Sequence, residues 1–175
     1  MADFLRPLEE AVSVLDGYTK LLVLGKQGSY RKGRTYSWAL NGDAGLAIRG
    51  VGTFFADMHF AVIDADQQHY EKLYRVTTLG YRYELEDTDG KTQWRMHWHP
   101  NGRSPVDYPH MHTLPDLKAH KPTARVTFEK AVLWCIASGA PLCCEVEEAM
   151  QILEVTESLH RLHRSWSERP GEPRG

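Results

Sequence analysis

A chain of 175 residues, 42% hydrophobic and 25% charged, has the make-up of one soluble domain with a sizeable core. Its formal net charge of −2 excludes a global electrostatic argument for nucleic acid or membrane, so any anion-binding patch must be local. No run approaches the roughly 18 apolar residues of a transmembrane helix, and the opening MADFLRPLEEAV lacks the apolar stretch of a secretory signal, so a cytoplasmic protein is expected. Cys135, Cys143 and Cys144 are an odd set without CxxC spacing. They read as reduced thiols, not as a zinc site or a disulfide framework.

Residues 3–16 read as a helix. Asp3 is placed to cap it, Pro7 lies in or near the tolerant first turn, and Leu5, Leu8, Val12 and Leu15 form an apolar stripe with Gly17 as the stop. Short strands follow at residues 20–24 and 34–40, between turn glycines 25, 28 and 33. Residues 41–52 are Gly-rich and irregular, and contain neither GxxxxGK[ST] nor a strand–GxGxxG–helix unit. Residues 53–64 (TFFADMHFAVID) are apolar on both faces, as in a central strand.

Residues 74–86 and 91–99 flank Asp87-Thr88-Asp89-Gly90 and predict a hairpin with Asp89-Gly90 as a two-residue turn. Counting outward pairs Leu85 with Trp94, Tyr83 with Met96 and Tyr81 with Trp98 on one aromatic face. Glu84 then meets Arg95, Arg82 meets His97 and Gly80 meets His99 on the other. Tyr74 and Val76 are out of phase with Tyr81 and Tyr83, which requires a bulge or bend between Thr77 and Gly80. Residues 100–125 hold five prolines and read as a long extended loop. Two helices close the chain. One spans 128–138, capped by Thr127, with Phe128, Ala131, Val132, Cys135 and Ile136 inward. The other spans about 144–166, with acids at its start and His160, Arg161, His163 and Arg164 serving its C-terminal dipole. The expected architecture is a single α+β domain over residues 1–166, with an antiparallel sheet of about five strands, an N-terminal helix and two C-terminal helices. Residues 167–175 read as a disordered tail.

The chemistry concentrates between Trp94 and Arg125. This stretch holds five of the nine histidines, with Arg95, Arg103, Lys118, Lys121 and Arg125 against Asp107 and Asp116. His97 and His99 are two apart, as are His110 and His112, so each pair points one way in extended chain. Three readings remain open. A solvated face or non-catalytic binding module would use the same His/Arg surface to contact a partner. Metal-independent RNA cleavage would use two of His97, His99, His110 and His112 for proton transfer, because imidazole titrates near neutrality. Arg95 with Arg82 or Arg103 would stabilise the phosphorane, Tyr108 would stack a base, and Glu84, Lys121 and Arg125 complete the substrate-binding set. A metal site would hold zinc or iron through His97, His99, His110 and His112, with Glu84 as a carboxylate ligand for iron; the neighbouring arginines oppose a dication. His59, His69 and His120 read as isolated surface or hydrogen-bonded residues. Trp94 and Trp98 read as core, not as a stacking platform.

The strand entering HWHP, then PHMH, then HKPTAR before two helices resembles a group of small uncharacterised prokaryotic and phage proteins with a PHxH…HxPTxR core. More loosely, YRYELEDTDGKTQWR followed by HP and PHMH resembles the TumE-type toxins of toxin–antitoxin pairs. The likeness covers roughly residues 74–166, with Arg95, His99, His110 and His112 at the matching positions. The aspartate expected shortly after the arginine is replaced by Met96-His97-Trp98. The second resemblance implies a toxin acting on RNA and neutralised by a cognate antitoxin, and ranks ribonuclease chemistry above metal chemistry.

Overall fold

The computed structural model describes residues 1–17, 19–24, 28–66, 68, 71–100 and 105–167. Arg103, His69, Gly25 and nearly all of the expected tail lie outside the described residues. The mixed α+β architecture is as expected, but the sheet is larger. It contains nine strands: β1 (Leu21–Leu24), β2 (Thr35–Leu40), β3 (Leu46–Ile48), β4 (Gly52–Asp64), β5 (Tyr74–Glu86), β6 (Thr92–Trp98), β7 (His110–Thr113), β8 (Asp116–Pro122) and β9 (Arg164–Trp166). The main order is β1-β2-β4-β5-β6-β7-β8, all antiparallel. β3 pairs with one end of β4, and β9 lies parallel to one end of β5.

Three helices cover one face: α1 (Ala2–Val12), α2 (Phe128–Ala137) and α3 (Val146–His163). α1 ends at Ser13, earlier than expected, and Asp3 does not cap it. The N-cap is Met1, and the Asp3 carboxylate instead accepts from Lys72. Pro7 falls in the helix interior and is buried. Thr127 does cap α2, its hydroxyl accepting from the Lys130 amide at 3.4 Å. Phe128 then enters the core, its ring 5.1 Å from Trp38, 6.1 Å from Phe54 and 5.7 Å from Tyr83.

The hairpin register is as expected from Tyr81↔Trp98 to Leu85↔Trp94, but the turn is not a two-residue turn. Asp87 and Lys91 pair across residues 88–90 through the Asp87 amide and the Lys91 carbonyl. The Asp87 carboxylate explains the larger turn: it accepts from the amides of Asp89 and Lys91 and from the Gln93 side chain, each at 2.9 Å. Gln93 is then an extra residue on β6, since Glu86 pairs with Thr92 and Leu85 with Trp94. One added turn residue and one bulged residue cancel, leaving the deeper pairs unchanged. The expected bulge in β5 falls at Leu79, between the His59↔Gly80 and Phe60↔Thr78 pairs. Beside it a Cβ on Gly80 would stand 2.8 Å from the Trp98 carbonyl, so this approach of β5 to β6 needs glycine.

Residues 100–125 are not one long loop. β7 and β8 form a hairpin that extends the sheet beyond β6. Pro109 precedes β7, Pro115 lies in the turn, and Pro122 ends β8, which has no further strand beside it among the described residues. Proline is tolerated at each such position, so the ladder survives. The last helix also stops before residue 166. β6 flanks only the far half of β5, and β9 fills the vacant edge, pairing Val76, Thr77 and Thr78 with Arg164, Ser165 and Trp166. Arg75 ties this end down by donating to the carbonyls of Arg161 and Arg164. His160 lies in the last turn of α3, as expected, but its side chain is committed to Glu129. It is fully buried, with Nδ1 3.0 Å from the carboxylate of Glu129, itself buried. Burial would push the Glu129 carboxyl up, but the contact with His160 outweighs it and holds it below its ordinary value.

Phe128 joins α2 to three strands, so Phe128→Ala is expected to cost about 3–5 kcal/mol. Trp134→Ala on the outward side of α2 should cost less than half of that. Urea unfolding of both variants checks this; comparable losses would place the core elsewhere.

Candidate active site

Strand alternation sorts the sheet into two chemistries. Phe54, Ala56, Met58, Tyr81, Tyr83, Leu85, Trp94, Met96 and Trp98 are buried toward the helices, so the two tryptophans are core as expected. Asp57, His59, Arg82, Glu84, Arg95, His97, His110 and His112 occupy the alternate positions. Pairing aligns them in cross-strand rows: Asp57–Arg82–His97–His110, and Phe55–Glu84–Arg95–His112.

His97, His110 and His112 converge. One ring nitrogen from each lies within 4.8 Å of the others. His97 Nε2 is 2.8 Å from His112 Nε2, and His97 Nδ1 is 3.0 Å from His99 Nε2. His110 Nδ1 is 2.8 Å from the Tyr108 carbonyl. A carbonyl can only accept, so His110 carries its proton on Nδ1 and presents a lone pair at Nε2. That Nε2 is buried and has no hydrogen-bond partner among the described residues. His120, expected to be isolated, joins the cluster from β8, its ring 4.8 Å from His110 and 4.7 Å from His112. Residue spacing alone does not reveal it, because the register of the second hairpin shifts between Met111 and Thr113. His59, also expected to stand alone, shares a cavity with His99.

The remaining candidates divide. Arg95 donates to Glu84 at 2.5 Å, and Arg82 Nε donates to Asp57 at 2.8 Å. Burial would raise the Glu84 carboxyl, but Arg95 and the Thr92 hydroxyl hold it below its ordinary value. Glu84 is thus engaged by Arg95 and Thr92 and is not a ligand beside the three imidazoles. Tyr108 is exposed, its ring 5.7 Å from His110. Lys121 donates to the Thr113 hydroxyl at 2.6 Å, and the Arg125 guanidinium lies 4.6 Å from the Trp98 ring centroid, on the core side.

Burial and mutual repulsion keep the imidazoles neutral. His97 is lowered to about 3, by desolvation first and then by His110, His99, His112 and Arg95. Desolvation likewise lowers His99, His110 and His112, with neighbouring histidines adding to it. Three neutral imidazoles with convergent nitrogens can share protons among themselves or bind a cation that accepts three lone pairs.

No family model, curated protein or solved structure matches the chain.

The lowered values make stability depend on pH. The unfolded chain protonates its histidines near 6.5 while the native cluster resists, so the unfolded state binds more protons below that pH. Stability from the neutral imidazoles is present above about 6.5 and is lost as pH falls, for His97 down to about 3. In EDTA, the urea midpoint should be lower at about pH 5.5 than at about pH 7.5, and His97→Gln should flatten the dependence. An equal or higher midpoint at the lower pH would contradict the neutral cluster.

Proposed function

We propose that the protein is a metal-dependent enzyme whose ion, zinc in the first instance, is held by His97, His110 and His112. The observation that carries this reading is the convergence of one nitrogen from each ring within 4.8 Å, with the remote nitrogens of His97 and His110 held by His99 and the Tyr108 carbonyl. A ligating histidine characteristically has its second nitrogen oriented in this way. Tetrahedral zinc would want ligand nitrogens about 3.3 Å apart, so the 2.8 Å His97–His112 pair would open and the wider separations, up to 4.8 Å, would close on binding. The two arginines that opposed a dication are offset by Glu84 and Asp57. With Glu84 engaged by Arg95, the donor set is all nitrogen, which favours zinc over a two-histidine, one-carboxylate iron site.

Three protein ligands leave one position for water, and metal-bound water ionises near neutrality. The reaction class is hydrolysis. Held by His97, His110 and His112, such an ion would supply a Lewis acid and an activated water for hydrolysis of an acyl or phosphoryl bond. Metal-independent ribonuclease chemistry, with an antitoxin partner, has less support: of its candidate arginines Arg82 and Arg95 are engaged by carboxylates, Arg103 lies outside the described residues, and the imidazoles resist protonation.

The test is metal content. Purified protein dialysed against zinc should retain one ion per chain, and His110→Ala and His112→Ala should each lose it. His120→Ala should keep it. Wild type that retains no zinc, or RNA cleavage that persists in EDTA and disappears in the histidine variants, would replace this reading with the metal-free one.

A further inference from the structure

α3 carries two apolar rows. Ala149, Leu153, Thr156 and His160 form the row that is buried in the fold. The residues one position earlier lie about 100° around the helix. There Ile152, Val155 and Leu159, continued by Leu162, make a second row. It stays open to solvent: Val155 is 51% exposed, Leu159 38% and Leu162 53%, while Ile152 is half-buried against the core. Its steps of three, four and three residues are those of a seam between two helices. They are also palindromic. An antiparallel copy of α3 sets Ile152 against Leu162 and Val155 against Leu159, twice over, about a two-fold axis at residue 157.

The charges reverse about the same point. Glu145, Glu147, Glu148 and Glu154 precede it, and Arg161 and His163 follow it. Glu154 and Arg161 are both exposed and, seven residues apart, lie on the same flank of the row. In the antiparallel pair each faces the other across the seam. Arg161 donates to Glu157 of its own helix at 2.6 Å, yet its side chain remains 59% exposed and free to reach a second carboxylate. A parallel copy would set like charges together, and an anionic lipid surface would meet the glutamates.

We infer that this row is a homodimer interface in which two α3 helices pack antiparallel about residue 157. The dimer is independent of the metal reading, since the helices and the histidines lie on opposite faces of the sheet. α3 has 18 residues and is about 27 Å long, and two such helices bury less than the roughly 800 Å² per partner of a standard interface. The association is therefore weak, with dissociation in the micromolar range.

Sedimentation equilibrium of the full-length protein over a concentration series tests this. Wild type should pass from the 20.0 kDa chain mass to twice that value as concentration rises. Val155→Glu/Leu162→Glu, at positions more than half exposed, should remain monomeric with an unchanged urea midpoint. Glu154→Arg should weaken the dimer roughly tenfold, the scale of two partly exposed ion pairs. Glu154→Arg/Arg161→Glu should restore it, because the exchange returns opposite charges to each side of the seam. Wild type still monomeric at about 0.5 mM, well above a micromolar dissociation constant, would overturn the inference. So would a dimer that survives Val155→Glu/Leu162→Glu, or a charge exchange that fails to restore what Glu154→Arg loses.

Discussion

Burial of one aromatic sheet face against α2 fixes the register on which every functional feature depends. Phe54, Tyr83, Trp94 and Met96 are at most 3% exposed, and each aromatic side chain withdrawn from water contributes on the order of 2–3 kcal/mol. Side chains alternate with a period of two, so a one-residue slip of β6 would drive Arg95 and His97 into that layer and expose Trp94 and Met96. The convergence of histidines on the opposite face is a consequence of core packing. Two bulges, at Leu79 and Gln93, absorb the local irregularities without moving the rows that carry Arg82, Arg95 and His97.

The cluster is a poor arrangement for stability alone. His110 and His112 are buried, and burial plus neighbouring imidazoles disfavours charging any of them. The arginines are held by partners in the same rows, Arg82 by Asp57 and Arg95 by Glu84. Positive charge is therefore offset where it would oppose a cation, while lone pairs are concentrated where a cation can use them. An ion bound only by the folded state would repay that arrangement by mass action, which links occupancy of the site to stability.

Much of this was legible in the chain. The alternation in β5 and β6 was regular enough to place Arg82, Glu84, Arg95, His97 and His99 on one face, and to assign Trp94 and Trp98 to the core. The two-residue turn was wrong while the deep register was right, because the Asp87 carboxylate enlarges the turn by the one residue that Gln93 takes back. The second hairpin was hidden by its prolines, whose composition argues against strands although their positions, at strand ends and a turn, do not. With it were hidden the strand partnership of His97 with His110 and the approach of His120. β9 and the Glu129–His160 pair could not be read locally. The first fills an edge that exists only once β6 is seen to be short, and the second joins residues 31 apart in the chain.

X-ray absorption spectroscopy of the zinc-loaded protein tests the site most directly. Three imidazole nitrogens and one light atom at about 2.0–2.1 Å are expected, with the imidazole scattering reduced in His97→Ala. A zinc shell containing sulfur from Cys143 or Cys144, or a spectrum unchanged by loss of His97, would contradict the assignment of the ion to His97, His110 and His112.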